Sequence, residues 1–137
     1  ALEKFKHFMP VTMHRFEAPA DLFHMTRIAA TLVEDCGPCA LVAAEGAVRD
    51  GVDSELVNAA LKADPPDGDL KTAFIFGAAI ARQSIEAFTI GDAIEEAYGR
   101  TVRLELAMTA ATVRAYPAMK RGLGLSKACS LTPLSVG

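Results

Sequence analysis

The sequence predicts an all-α domain, and three observations carry that prediction. Proline, glycine and aspartate recur at intervals that suit helices of three to five turns. Apolar residues follow helical spacing, and no stretch holds the strict alternation of a half-buried strand. Finally, 137 residues fit a single domain with enough core to need neither a metal nor a disulfide for stability. The whole chain, 1–137, is therefore read as one domain, with a core over about 20–124 and a tail over 125–137.

The elements follow in order. Residues 1–17 form an ambiguous, partly helical lead-in. Pro19 and Asp21 then supply first-turn signals for a helix carrying Leu22, Met25, Ala29, Leu32 and Val33 on one face and stopping near Glu34 or Asp35. Gly37-Pro38 opens a second helix, because proline in the first turn loses no hydrogen bond, and Gly51 terminates it. Asp53 caps a short helix to about Ala63, which Asp64-Pro65-Pro66-Asp67-Gly68 ends. A long helix from Asp69 to about Ala87 is apolar around most of its circumference between Phe74 and Ala81, so it is expected at the centre of the bundle. Thr89 and Asp92 start a brief helix ending at Gly99. Thr101 caps a last long one, bent or broken at Pro117. The tail beyond Gly122 has little pattern, and two readings of it stay open: free in solvent, or docked on a partner subunit.

Bulk properties exclude several classes. The longest apolar run, Phe74 to Ala81, is eight residues, far below the roughly 18–20 needed to span a bilayer, so no membrane association is expected. Net charge is −3 with scattered Lys and Arg, which leaves no electrostatic footprint for nucleic acid. Three cysteines do not make a secreted disulfide framework, and the cytoplasm is the expected compartment. Apolar residues make up 51% of the chain, more than one small bundle can cover, which predicts a homo-oligomer with the 69–87 or 101–121 helix at its interface.

The chemistry concentrates in Glu34-Asp35-Cys36-Gly37-Pro38-Cys39. Two cysteines at i and i+3 on a helical start can close a short-loop disulfide, and the helix dipole stabilises a thiolate there. Cys36 is read as the N-cap and Cys39 as a first-turn residue, and on position alone either could be the nucleophile. The carboxylates of Glu34 and Asp35 disfavour a neighbouring thiolate by charge, yet a carboxylate can also take the thiol proton. Cys-Gly-Pro-Cys is the string found in thioredoxins, but the preceding strand and βαβ context are missing, so that fold is rejected. No cofactor is called for. A zinc site is not expected, since beyond this pair only Cys129, His7, His14 and His24 remain as ligands. Cys129 reads as an idle tail thiol, and Glu45 as a partly buried ion-pair partner that could alternatively act as an acid.

Taken with the order of helices, Glu-x-Cys-x-x-Cys at a helix start makes residues 20–124 resemble the alkylhydroperoxidase D-like (AhpD-like) and carboxymuconolactone decarboxylase superfamily. The spacing from Cys39 to Gly51-Val52-Asp53, the helix from Asp53 to Ala63, the central helix from Asp69 and the stretch from Gly99 to Gly124 support the likeness. It implies an all-α bundle of about six to seven helices that assembles into dimers, trimers or hexamers. It also implies a thiol-dependent peroxidase that reduces hydroperoxides and recovers its thiols from an external dithiol, with Cys39 attacking and Cys36 resolving. The peroxidase branch has a histidine four residues after the second cysteine, where this chain has Ala43, and some members have another just before that cysteine, where this chain has Pro38. Either Glu34, Glu45 or His24 stands in as the proton relay, or the chain is a weak or retired peroxidase. The opposing expectation is a non-catalytic helical oligomer whose cysteines are structural or vestigial.

Overall fold

A computed structural model describes residues 1–125 and 135–136, and among these the chain is entirely helical. The elements are α1 (Leu2–Phe8), a 3-10 turn (Met9–Met13), α2 (Ala20–Val33), α3 (Gly37–Arg49), α4 (Ser54–Leu61), α5 (Asp69–Ala81), α6 (Glu86–Tyr98), α7 (Arg100–Thr112) and α8 (Ala115–Gly122). No described helix is long and apolar enough to cross a membrane. Cys129 and most of the 125–137 tail lie outside the described residues.

The centre of the bundle is α2, not the Asp69 helix that its apolar run suggested. Every residue from Leu22 to Thr31 is buried, and α2 packs against α3, α4, α5 and α7. Four of those buried residues are polar or charged, so apolar periodicity does not mark this helix as the central one. The Thr26 hydroxyl donates to the carbonyls of Leu22 and, across the interface, of Ala73 at 2.9 Å, and the Thr31 hydroxyl donates to Arg27 O at 2.8 Å. Satisfied in this way, a hydroxyl costs little to bury. At Gly77, α5 comes so close that a Cβ there would lie 2.1 Å from Thr26 O. Meanwhile α5 leaves Ile75 exposed.

Four other boundaries differ from the sequence reading. The Asp69 helix stops at Ala81, because Gln83 takes a left-handed backbone (φ 59°), and α6 begins at Glu86 rather than Thr89. Between α7 and α8 the chain turns at Val113 and Arg114, so Pro117 falls in the first turn of α8, where its missing donor removes no helical hydrogen bond. α7 starts at Arg100 with no side-chain cap.

Elsewhere local chemistry explains the elements directly. Asp35 ends α2 in a left-handed conformation (φ 55°), which aspartate tolerates better than most residues. Asp53 caps α4 by accepting from Glu55 N at 2.7 Å. Buried Glu105 on α7 accepts from the backbone N–H groups of Phe16, Glu17 and Ala18, which fixes the lead-in against α7. The Thr109 hydroxyl donates to Thr12 O at 2.7 Å and holds the 3-10 turn to the same helix. Near the C-terminus, Asn58 on α4 exchanges two hydrogen bonds with the backbone of Val136.

Candidate functional site

The α2–α3 junction presents the cysteines. With Cys36 as N-cap and α3 starting at Gly37, both sulfurs lie at the positive end of the helix dipole. They are joined as a disulfide, with Cα atoms 5.3 Å apart. The two sulfurs differ in surroundings. Cys36 is buried, and the Lys120 ammonium of α8 approaches its Sγ at 3.9 Å. Cys39 is partly exposed and lines a cavity of about 490 Å³. That cavity is mostly apolar, walled by Phe5, Met9, Val42, Val113 and Tyr116, with Pro38 beside Cys39 at its rim. A lysine next to a sulfur favours its thiolate, so Cys36 is set up as a leaving thiolate while Cys39 is the sulfur an incoming molecule can reach.

Glu34 closes the junction from the other side. Its buried carboxylate accepts from Arg114 Nε and Arg121 Nη2, and Arg121 Nη1 also donates to the Glu34 carbonyl at 3.0 Å. Burial opposes the charge on Glu34, but the hydrogen bonds and charges of the two arginines outweigh it and hold the carboxyl below its ordinary range. A carboxylate held this way is a poor proton acceptor. Glu34 instead ties α8 to the α2–α3 junction, and Arg121 is the chain neighbour of the lysine that reaches Cys36.

The other two relay candidates are not brought to the thiols. His24 is buried, and its Nε2 lies 2.9 Å from Asp50 Oδ2 at the C-cap of α3. Eleven residues of helix separate Asp50 from Cys39, about 16 Å along the axis. Burial pulls the His24 pKa below its ordinary value; the hydrogen bond to Asp50 opposes the shift and the charge of Arg27 adds to it. Glu45 is exposed rather than a partly buried ion-pair partner. It lies six positions beyond Cys39, about 240° around α3 and 9 Å along it, so it faces away. Ala43, where the family histidine would stand, is buried in the core.

Sequence reasoning missed four cationic residues here: Arg27, Arg114, Lys120 and Arg121. Three come from a helix and turn some 80 residues beyond the cysteines, and the only signal in the sequence was the basic cluster Lys120-Arg121 after Pro117. Among the described residues no group of three or more His, Cys, Asp or Glu could hold a metal. No protein-family model, curated protein or solved structure matches this chain.

Proposed function

We propose that the chain is a thiol-dependent oxidoreductase of peroxidase type, an AhpD-like helical protein that reduces hydroperoxides through a Cys36/Cys39 dithiol-disulfide cycle. One observation carries this reading: a Cys-x-x-Cys pair at a helix N-terminus in which the accessible sulfur opens onto an apolar cavity and the buried sulfur faces a lysine.

The cycle runs as follows. The Cys39 thiolate attacks the terminal oxygen of the hydroperoxide and the O–O bond breaks. The alcohol leaves with a proton from solvent or from Lys120, and Cys39 becomes a sulfenic acid. Cys36 then attacks that sulfur; the S–O bond breaks, water departs and the disulfide forms. One thiolate of an external dithiol attacks Cys39, the exposed sulfur, and Cys36 leaves as a thiolate beside Lys120. The second thiol of the reductant displaces Cys39 and completes its own disulfide. The net reaction turns hydroperoxide and dithiol into alcohol, water and a disulfide. It belongs in a reducing compartment such as the cytoplasm, where that dithiol is regenerated. Glu34, His24 and Glu45 take no proton in this scheme, and Glu34 acts as the residue that positions α8.

Steady-state consumption of cumene hydroperoxide with dithiothreitol tests the reading. Wild-type protein should turn over, and Cys39→Ser and Cys36→Ser should each lose at least about 100-fold. Wild-type protein that consumes no peroxide would leave the non-catalytic reading, in which the disulfide merely ties the N-cap of α3 to its first turn.

The active form is proposed to be a homo-oligomer. Phe16, Ile85, Phe88 and Leu104 are all more than 60% exposed, and burying such side chains against a second copy would favour assembly by the apolar area removed from water. Light scattering should give a multiple of 14.5 kDa at micromolar concentration; the monomer mass would reject assembly without touching the redox cycle.

A further inference from the structure

The cavity beside Cys39 is lined by a buried arginine that has no ion-pair partner among the described residues. Arg27, in the middle of α2, is only 6% exposed, and its Nε and Nη1 have no hydrogen-bond partner among the described residues. It lines the cavity that Cys39 lines. The charged groups acting on it do not compensate it. Burial lowers its pKa and repulsion from Arg49 lowers it further, to about 10, and at that value the guanidinium is still cationic at neutral pH. The other cations of the cavity wall are occupied: Lys6 pairs with Glu3 at 3.1 Å, and Lys120 lies on Cys36 Sγ and over the Tyr116 ring.

Burying an unpaired guanidinium is expensive, because a charge removed from water needs a counter-charge or hydrogen bonds to offset the loss of hydration. α2 could hold a methionine or leucine at this position at less cost. The walls around Arg27 are apolar, and the volume is within the ~300–1,000 Å³ typical of small-molecule sites. A ligand that satisfies both features has one planar anionic head and an apolar body.

We propose that this cavity binds an amphipathic monocarboxylate of medium-chain fatty acid type, with its carboxylate held by Arg27 and its chain against the walls shared by α1, α3 and α8. The planar, two-oxygen head matches the guanidinium fork. A fully hydrated inorganic anion would gain nothing from the walls. For the redox reading, the consequence is a substrate class: hydroperoxides of such acids, gripped at the carboxylate and presented to Cys39. That consequence rests on the proposed peroxidase activity, whereas the binding can be measured without turnover.

The test is calorimetric titration of the full chain with decanoate, decanol and inorganic phosphate, repeated on Arg27→Met and on Val42→Glu. Val42 is an exposed wall residue, so its variant should keep the fold. Wild-type protein should bind decanoate at least tenfold more tightly than decanol, as a charge-assisted hydrogen bond allows, and phosphate should not bind. Each methylene added from octanoate upward should strengthen binding about fourfold. Arg27→Met should erase the preference for acid over alcohol yet melt no lower than wild type without ligand, because it removes an unpaired buried charge. Val42→Glu should weaken decanoate and decanol together. Equal wild-type affinity for acid and alcohol, or a preference that survives Arg27→Met, would overturn the proposal, as would phosphate binding as well as decanoate does. Decanoate binding without peroxide turnover would sink the peroxidase reading alone. Turnover of cumene hydroperoxide without acid preference would sink this inference alone.

Discussion

The two ends of α3 are built on opposite electrostatic plans. At its C-terminal end Asp50 accepts from Arg15 at 3.0–3.1 Å and lies 2.9 Å from His24. Opposite charges meet there, the imidazole is sealed in the core, and the arrangement holds α2, α3 and the lead-in together. At the N-terminal end the carboxylate of Glu34 is likewise saturated, by two arginines. Its effect, however, is to deliver a lysine to a sulfur and to leave the second sulfur facing an open cavity. The same ingredients, a carboxylate with cationic partners, lock one end of the helix and arm the other. What differs is whether a polarisable, reactive atom is left at the edge of the network.

Perturbing each end should separate the two plans. The largest stability effect is expected from Glu34→Gln, because it removes one buried charge and loosens two arginines. We expect a loss of about 2–3 kcal/mol in chemical denaturation, accompanied by slower reduction of the Cys36–Cys39 disulfide as α8 and Lys120 drift from Cys36. A destabilised variant with unchanged disulfide reactivity would disconnect Glu34 from the site.

The locked end should report through pH. Since the folded-state pKa of His24 lies below the ordinary value of 6.5, the unfolded chain binds the proton first as pH falls. Stability is therefore fully present above about pH 6.5 and is lost below it until the folded histidine also titrates, with a slope of at most ~1.4 kcal/mol per pH unit. Asp50 is held below its ordinary 3.8, where burial is outweighed by Arg15 and His24, so its contribution is lost only at more acidic pH. His24→Asn should flatten the stability profile between pH 6.5 and 5 without altering thiol reactivity. A profile unchanged by the substitution would place the responsible group elsewhere.

The smallest expected effect is at Lys120. Lys120→Gln should change stability by no more than about 0.5 kcal/mol, as for other surface positions. In the reduced protein it should raise the pKa of Cys36, read from the pH dependence of its alkylation with Cys39 replaced by serine. No change in that profile would mean the lysine does not bias Cys36.

Much of this was legible in the sequence, in the places where a residue acts on its own stretch of chain. Gly37-Pro38 marks the start of α3, Asp53 the start of α4, and the Cys-x-x-Cys pair the site itself. The identity of the central helix was not legible, because Thr26 and His24 are buried against partners on other helices, Ala73 and Asp50, and Thr31 against its own helix's backbone, none of which the apolar pattern marks. Nor was the end of α5, which has no glycine or proline at Gln83. At the site, the cations matter most, and Arg114, Lys120 and Arg121 reach the cysteines across some 80 residues. Arg27 is hidden differently: on a helical wheel it looks like any solvated arginine, and only the packing of α2 at the centre buries it.

The central claim is that Cys39 is the sulfur attacked from the cavity and Cys36 the one that resolves. Its most direct measurement is mass spectrometry after one equivalent of cumene hydroperoxide is added to reduced Cys36→Ser and Cys39→Ser proteins in the presence of a sulfenic-acid trap. The account predicts one trapped adduct, on Cys39, in Cys36→Ser and none on Cys36 in Cys39→Ser. An adduct on Cys36 alone would reverse the roles, and the absence of any adduct in either variant, with no disulfide formed in the oxidised wild type, would contradict the redox cycle.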